Sequence, residues 1–146
     1  MDNQAFSTVT FDHVGLVCPS EVFEDEIKFL TASLAPLGIK EQFRVAPLVA
    51  GLGNNPQKPD FWVSAVVKGQ EIKEAVSPIH VGFRASHQSQ VDEFHKLGLE
   101  ARGTDNGAPG IREQYHPGYY GAFLISPAGH NIEVVYHDFS RMQAKK

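Results

Sequence analysis

Cysteine is nearly absent. Cys18 is the only one, so one chain cannot build a disulfide framework or a zinc or iron–sulfur centre of several thiolates. A lone cysteine is most simply a small buried hydrophobe, and Cys18 is given no role. No apolar run approaches the roughly 18 residues that a membrane span requires. Met1-Asp2-Asn3-Gln4 has neither the basic nor the apolar region of a secretory signal, and a reducing interior, the cytoplasm, is expected. Basic residues are scarce and scattered: 13 Lys and Arg stand against 17 Asp and Glu, for a net charge of -4, with no basic cluster before Lys145-Lys146. A phosphate backbone is read by a concentrated basic face, so neither nucleic acid nor membrane is expected as a partner. Low-complexity stretches and linkers are missing too. With 146 residues, 42% of them hydrophobic, the chain suffices for one core, whereas two independent domains would each be marginal. A single domain spanning 1–146 is expected.

What the chain does contain is a repeat. His13-Val14-Gly15 recurs as His80-Val81-Gly82, each time in an alternating stretch followed by a helical pattern. A period of two places Val14 and Leu16 on one strand face and His13, Gly15 and Val17 on the other. The second copy divides Val81 and Phe83 from His80, Gly82 and Arg84 in the same way. A face of small and polar residues suits a cleft better than a packed interior.

A helix is expected after each strand. Ser20 can cap the first, whose opening turn carries Glu21, Glu24 and Asp25 at the positive end of the helix dipole. Phe23, Ile27, Leu30, Leu34 and Leu37 follow at helical spacing, and Pro36 predicts an end near Leu34 with Leu37-Gly38 as the exit. Ser86 or Ser89 can cap the second helix, with Val91, Phe94 and Leu97 as its stripe and Gly98 as its left-handed exit residue. Strands are expected at 43–46, 60–67, 99–102, 119–126 and 131–136. Gly51 to Pro59 and Gly103 to Gly118 read as loops, the second long enough for a functional lid. Pro127-Ala128-Gly129 reads as a tight turn, and the tail from Arg141 to Lys146 as frayed.

Glu133 stands between Ile132 and Val134, so alternation turns its carboxylate to the face opposite the aliphatics. Two imidazoles and a carboxylate on separate strands can fill three corners of a metal site and leave positions for water, substrate or oxygen. Spacing does not single out this triplet among 7 histidines and 17 acidic residues; the repeated context of His13 and His80 favours it over partly buried structural histidines.

Asp12-His13-Val14-Gly15, His80-Val81-Gly82-Phe83 and Gly129-His130-Asn131-Ile132-Glu133 resemble the vicinal oxygen chelate superfamily, which includes glyoxalases, extradiol dioxygenases, fosfomycin-resistance transferases and bleomycin-binding proteins. Tyr115-His116-Pro117-Gly118-Tyr119-Tyr120 also looks like a stretch found in uncharacterised members. The resemblance spans most of the chain. It implies an α+β fold of two βαβββ modules, at about 8–68 and 77–138, forming a curved, partly open mixed sheet barrel with helices outside. It further implies a divalent metal, whether iron, manganese, zinc, nickel or cobalt, on His13, His80 and Glu133. Glyoxalase I usually draws a fourth ligand from the strand represented here by Asp60-Phe61-Trp62-Val63-Ser64, and none sits centrally in it. A methylglyoxal-detoxifying glyoxalase is therefore disfavoured, and the three-ligand pattern is closer to extradiol dioxygenases and fosfomycin-type transferases.

The expectation is a metal-dependent lyase, isomerase or dioxygenase acting on a small oxygen-chelating substrate, with a non-catalytic sequestering protein of the bleomycin-resistance type as the alternative. Tyr115 or His116 can serve as an acid–base partner, or merely pin a loop. Arg84 and Arg112 can bind an anion, Trp62 and Phe123 can wall a substrate ring, and Tyr120 can reach a substrate oxygen. For these residues the plainer roles are surface ion pairing and core packing. A homodimer is plausible, with the metal site completed within one chain or across two.

Overall fold

The computed structural model describes residues 11–143. Residues 8–10 of the expected first module, and 144–146 of the expected frayed tail, lie outside the described residues. The first module runs β1 (Val14–Val17), α1 (Phe23–Ser33), β2 (Lys40–Ala46), β3 (Val49–Gly53) and β4 (Phe61–Ser64). A small hairpin of β5 (Val66–Val67) and β6 (Gln70–Glu71) follows. The second module repeats the first as β7 (His80–Arg84), α2 (Gln88–Glu100), β8 (Thr104–Ile111), β9 (Tyr119–Ile125) and β10 (Asn131–His137), and a short α3 (Phe139–Gln143) follows.

Each module forms one four-stranded mixed sheet, ordered β1-β4-β3-β2 and β7-β10-β9-β8. In each, the first strand pairs in parallel with the last, and the remaining pairings are antiparallel. The fold is thus α+β with two βαβββ modules, and among the described residues the sheets do not close into a barrel. The registers repeat as well: Gly15 pairs with Trp62 as Gly82 pairs with Glu133. Trp62 therefore holds in the first module the position that Glu133 holds in the second.

Both sheets turn their aliphatic faces to the helices. Phe23, Ile27, Leu30 and Leu34 from α1 and its exit, Val91 and Phe94 from α2, and Leu16, Leu52, Val63, Leu124, Ile132 and Val134 from the strands form one buried core, and α1 packs against α2. Burial on this scale stabilises each large side chain by about 1.5–3 kcal/mol. Buried polar groups tie the modules together. The Glu26 carboxylate accepts the Ala128 N–H at 2.7 Å. His130 Nδ1 accepts the Ile79 N–H at 3.1 Å, so its Nε2–H donates to the Val17 carbonyl at 2.9 Å. Cys18 lies in the core, where burial, reinforced by Glu26, pushes its thiol up to about 12.

Several boundaries differ from expectation. Residues 51–53, expected at the start of a loop, belong instead to the strand Val49–Gly53. Their glycines are structural: a Cβ on Gly51 would stand 2.8 Å from Pro59 Cβ and 3.0 Å from the Trp62 ring. Thr104–Ile111 is likewise a strand, which confines the long loop to 112–118. The expected strand at 99–102 does not form, because α2 continues to Glu100. Gly98 lies inside that helix, where a Cβ would overlap Leu124 Cδ1 and stand 3.1 Å from Ser33 Cβ; the left-handed exit residue is Arg102, at φ 72. Neither Ser86 nor Ser89 caps α2. The cap is His87, with the Gln90 side chain accepting the backbone N–H groups of Ser86 and His87. Ser20 opens a 3-10 turn without a side-chain cap. Leu37-Gly38 does form the exit of the first helical segment, with Gly38 left-handed at φ 79.

Candidate functional site

The face of the second sheet turned away from the helices carries the chemistry. The register sets Gly82, Glu133 and Phe123 side by side across β7, β10 and β9. His80 lies next to Asn131, Arg84 next to Val135, and Tyr119 next to His137. Glu133 is only 5% exposed, yet both its oxygens are engaged. Oε1 lies 3.0 Å from His80 Nε2, and Oε2 accepts the Tyr119 hydroxyl. Its flanks are glycines: a Cβ on Gly82 would come 3.6 Å from Oε1, and one on Gly121 3.4 Å from Oε2. Larger residues there would crowd the carboxylate.

Hydrogen-bond roles define what lies between His80 and Glu133. His80 Nδ1 is 3.1 Å from the Asn131 carbonyl, which can only accept, so Nδ1 carries the proton. In the neutral ring Nε2 is then a bare lone pair facing a carboxylate oxygen at 3.0 Å, an arrangement that is favourable only with a cation between or beside the two atoms. A second proton on the ring satisfies it. So does a metal ion: two donors each about 2.1 Å from an ion, at right angles, stand roughly 3 Å apart. A ring N–H fixed by a backbone carbonyl is also the usual support of a metal-bound histidine.

His13 does not join this pair. It directly precedes β1 and its Nδ1 donates to Asp12 Oδ2 at 2.7 Å, holding that carboxyl below its ordinary range with help from Lys58. The His13 side chain is 59% exposed, and among the described residues its Nε2 makes no hydrogen bond. Among the described residues, no three His, Cys, Asp or Glu side chains are grouped as a metal centre. Two of the three expected ligands converge, and the third is displayed elsewhere. His13 borders a cleft of about 330 Å³ at the junction of the modules, whose lining includes Asp60, Phe61, Phe83 and Arg84.

The remaining candidates divide by face. Tyr115 and His116, in the loop before β9, pack edge-on against the Tyr119 ring at 4.9 and 5.2 Å. Burial first, and then Glu133, raises the Tyr119 hydroxyl above its ordinary range, so it stays a donor. Phe123 stacks on His80 at 6.1 Å. Arg112 lies over Phe123, but its guanidinium is bound by the carbonyls of Ala108, Gly110 and Gly121; its contacts hold β8 and β9 in place. Tyr120 points to the helical side, donating to Asp92 of α2 at 2.5 Å. Trp62 lies in the other sheet, beside Gly15 and Gly51. Arg84 shares the Glu133 face, with its guanidinium over Phe139.

His137 escaped the sequence reading. Its Nδ1 is 2.9 Å from His116 Nε2, and its ring stacks on both His116 and Phe139. The signal was there, since 133, 135 and 137 share a strand face, but a strand ended at 136 leaves it out.

No family model and no curated protein matches the sequence. Solved structures do. A glyoxalase/bleomycin resistance protein from Albidiferax ferrireducens is 25% identical over 86% of this chain and 97% of its own, with a TM-score of 0.65. The oxidase ChaP-H2 is 20% identical over 88% and 94%, at 0.59. A lactoylglutathione lyase from Agrobacterium tumefaciens is 14% identical over 87% and 92%, at 0.59. The chain has the fold of the glyoxalase, bleomycin resistance and dioxygenase structures, as the resemblance to the vicinal oxygen chelate superfamily implied.

Proposed function

We propose that the protein is a divalent-metal-dependent enzyme acting on a small substrate that chelates through two oxygens, with His80 and Glu133 as the metal ligands of the second module. The observation that carries this reading is the facing of the His80 Nε2 lone pair and Glu133 Oε1 at 3.0 Å, with Nδ1 committed to Asn131. A bound divalent ion supplies Lewis acidity toward a developing oxyanion. The chain's own residues do the rest. Tyr119 fixes the Glu133 carboxylate, Phe123 walls one side of His80, and Gly82 and Gly121 leave room beside the carboxylate for a substrate. Tyr115 and His116 stand at the rim of this face, where a substrate proton can be taken up or returned. Neighbours of the same fold include a lyase and an oxidase, and the class of reaction here is open between them.

The third ligand in this reading is His13 from a second copy. The Asp12–His13 hydrogen bond orients the ring as second-shell carboxylates orient metal-bound histidines, while Nε2 is offered outward. A homodimer in which each His13 meets the partner's His80 and Glu133 uses all three. Elemental analysis tests the proposal: protein purified without added metal, or reconstituted, should hold near one ion per chain. His80→Ala and Glu133→Ala should lose it, and His13→Ala should weaken it severely while each chain stays folded. Metal content unchanged in all three variants would remove the proposal.

A second reading, a non-catalytic binding protein, draws on the module-junction cleft, whose Phe61, Phe83, Leu37 and Ile39 make an apolar lining. Binding of apolar ligands by protein that neither holds nor takes up metal would favour it.

A further inference from the structure

Beyond the His80–Glu133 pair, the same face carries a second group of polar side chains, Arg84 and a histidine pair, and among the described residues the Arg84 charge meets no carboxylate in an ion pair. Among the described residues, Arg44, Arg102 and Arg141 are paired with carboxylates, and Arg112 with three carbonyls. Among the same described residues Arg84 forms neither an ion pair nor a side-chain hydrogen bond. Its guanidinium lies 5.5 Å from the centre of the Phe139 ring, and the His137 ring stacks on that same ring at 5.5 Å. Arg84 is exposed, so the charge is available.

The histidine pair beside it is wired in one direction. His116 Nδ1 donates to the Pro117 carbonyl at 2.8 Å, which leaves Nε2 as acceptor for the Nδ1–H of His137 at 2.9 Å. Among the described residues the His137 Nε2 makes no hydrogen bond, and it is the position of the pair that can take a proton and then donate. Of the nearby carboxylates, Glu133 is bound by His80 and Tyr119, Asp138 by Ser140 and Glu113 by Arg141, while Asp60 lines the module-junction cleft with Arg84 but forms no ion pair with it. Burial, and then His116 and Arg84, hold His137 below its ordinary range, with Glu133 opposing them.

We propose that Arg84, His137 and His116 form an anion subsite, which takes the carboxylate of a substrate whose chelating oxygens lie at the far end of the same molecule, against His80 and Glu133. It deepens the metal-enzyme reading by naming a class: small organic acids with the acid group separated from the chelating oxygens by two strand positions, the offset of Arg84 from Gly82. Arg84 supplies a fork matched to a carboxylate, and His137 supplies one further donor when its Nε2 takes up a proton from solvent. Tyr115, Tyr119 and Phe139 provide aromatic surface for the body of the acid.

Benzoate and its uncharged isostere benzamide test this on the full-length chain by NMR titration, as purified and again after chelator treatment. Benzoate should shift the His137, His116 and Arg84 resonances saturably in both samples, binding about tenfold or more tighter than benzamide. Arg84→Gln should lose that advantage, and His137→Gln should lose part of it. No saturable binding of benzoate, equal binding of the two probes, or an unchanged Arg84→Gln would each overturn the subsite. Chelator treatment separates the two proposals: benzoate binding that disappears with the metal belongs to His80 and Glu133 and overturns the subsite, whereas binding that persists supports it whatever becomes of the metal.

Discussion

Gly98→Ala is informative because two accounts of that glycine give opposite signs. At an exposed position inside a helix, alanine in place of glycine stabilises by about 0.5–1 kcal/mol. In this fold Gly98 is buried where α2 meets α1 and β9, and an added Cβ would overlap Leu124 Cδ1 and stand 3.1 Å from Ser33 Cβ and 3.2 Å from the Phe29 ring. Leu124 is itself wholly buried, with little room to rotate away. Overpacking of this kind costs about 1–3 kcal/mol. Set against the helix gain, a net loss of up to about 2.5 kcal/mol is expected, or a fall in Tm of up to roughly 8 °C for a chain of this size. Thermal and urea unfolding followed by circular dichroism measure it. The double variant Gly98→Ala/Leu124→Ala identifies the cause: the glycine substitution should cost little or become favourable once Leu124 is truncated. A higher Tm for the single variant, or an equal loss in both backgrounds, would refute the packing argument.

Glu26 is fully buried, its Oε1 makes no hydrogen bond among the described residues, and burial, opposed by Ser126 and the Ala128 N–H, raises its carboxyl above the ordinary range. A raised folded-state value means that its stabilising contribution is fully present below the unfolded value and is lost as pH rises through the folded one. Glu26→Gln should therefore flatten the decline in stability with rising pH and be the more stable protein at neutral pH, as urea midpoints across the pH range will report. Tyr119→Phe removes the donor to Glu133 Oε2 and should weaken metal affinity by about 10–100-fold without changing stoichiometry, as measured by chelator competition. His13→Ala should leave the unfolding of the isolated chain within about 0.5 kcal/mol of wild type, its side chain being largely exposed, while lowering metal content.

The modules were legible because the repeated His-Val-Gly and the alternation around it survive in a single sequence. Glu133 was legible for the same reason: Ile132 and Val134 must face the core. Glycine misled at Gly51, Gly98 and Gly103. Each is a glycine because another element presses on its backbone, a tertiary cause that leaves in the sequence the same mark as a turn. Strands β3 and β8 were lost in this way, and the loop before β9 was drawn too long. Within the candidate site, strand periodicity assigned His80, Glu133 and Arg84 to one face, but it carries no information about which module's face meets which. That is why His13 was grouped with a pair it does not reach in the chain. Tyr120 went to the wrong side for a simpler reason: next to Tyr119 in the chain, it must point the opposite way in a strand.

The central claim is that a divalent ion takes the place between His80 Nε2 and Glu133. Nitrogen NMR of the His80 imidazole during titration with Zn²⁺ addresses it directly. The predicted result is an Nδ1 that stays protonated throughout and an Nε2 resonance that moves to a metal-bound position as one equivalent is added, with no such change in Glu133→Ala. An Nε2 that ignores the ion, or a ring whose Nε2 carries a proton before and after, would contradict the claim and leave His80–Glu133 as an ion pair that serves only the fold.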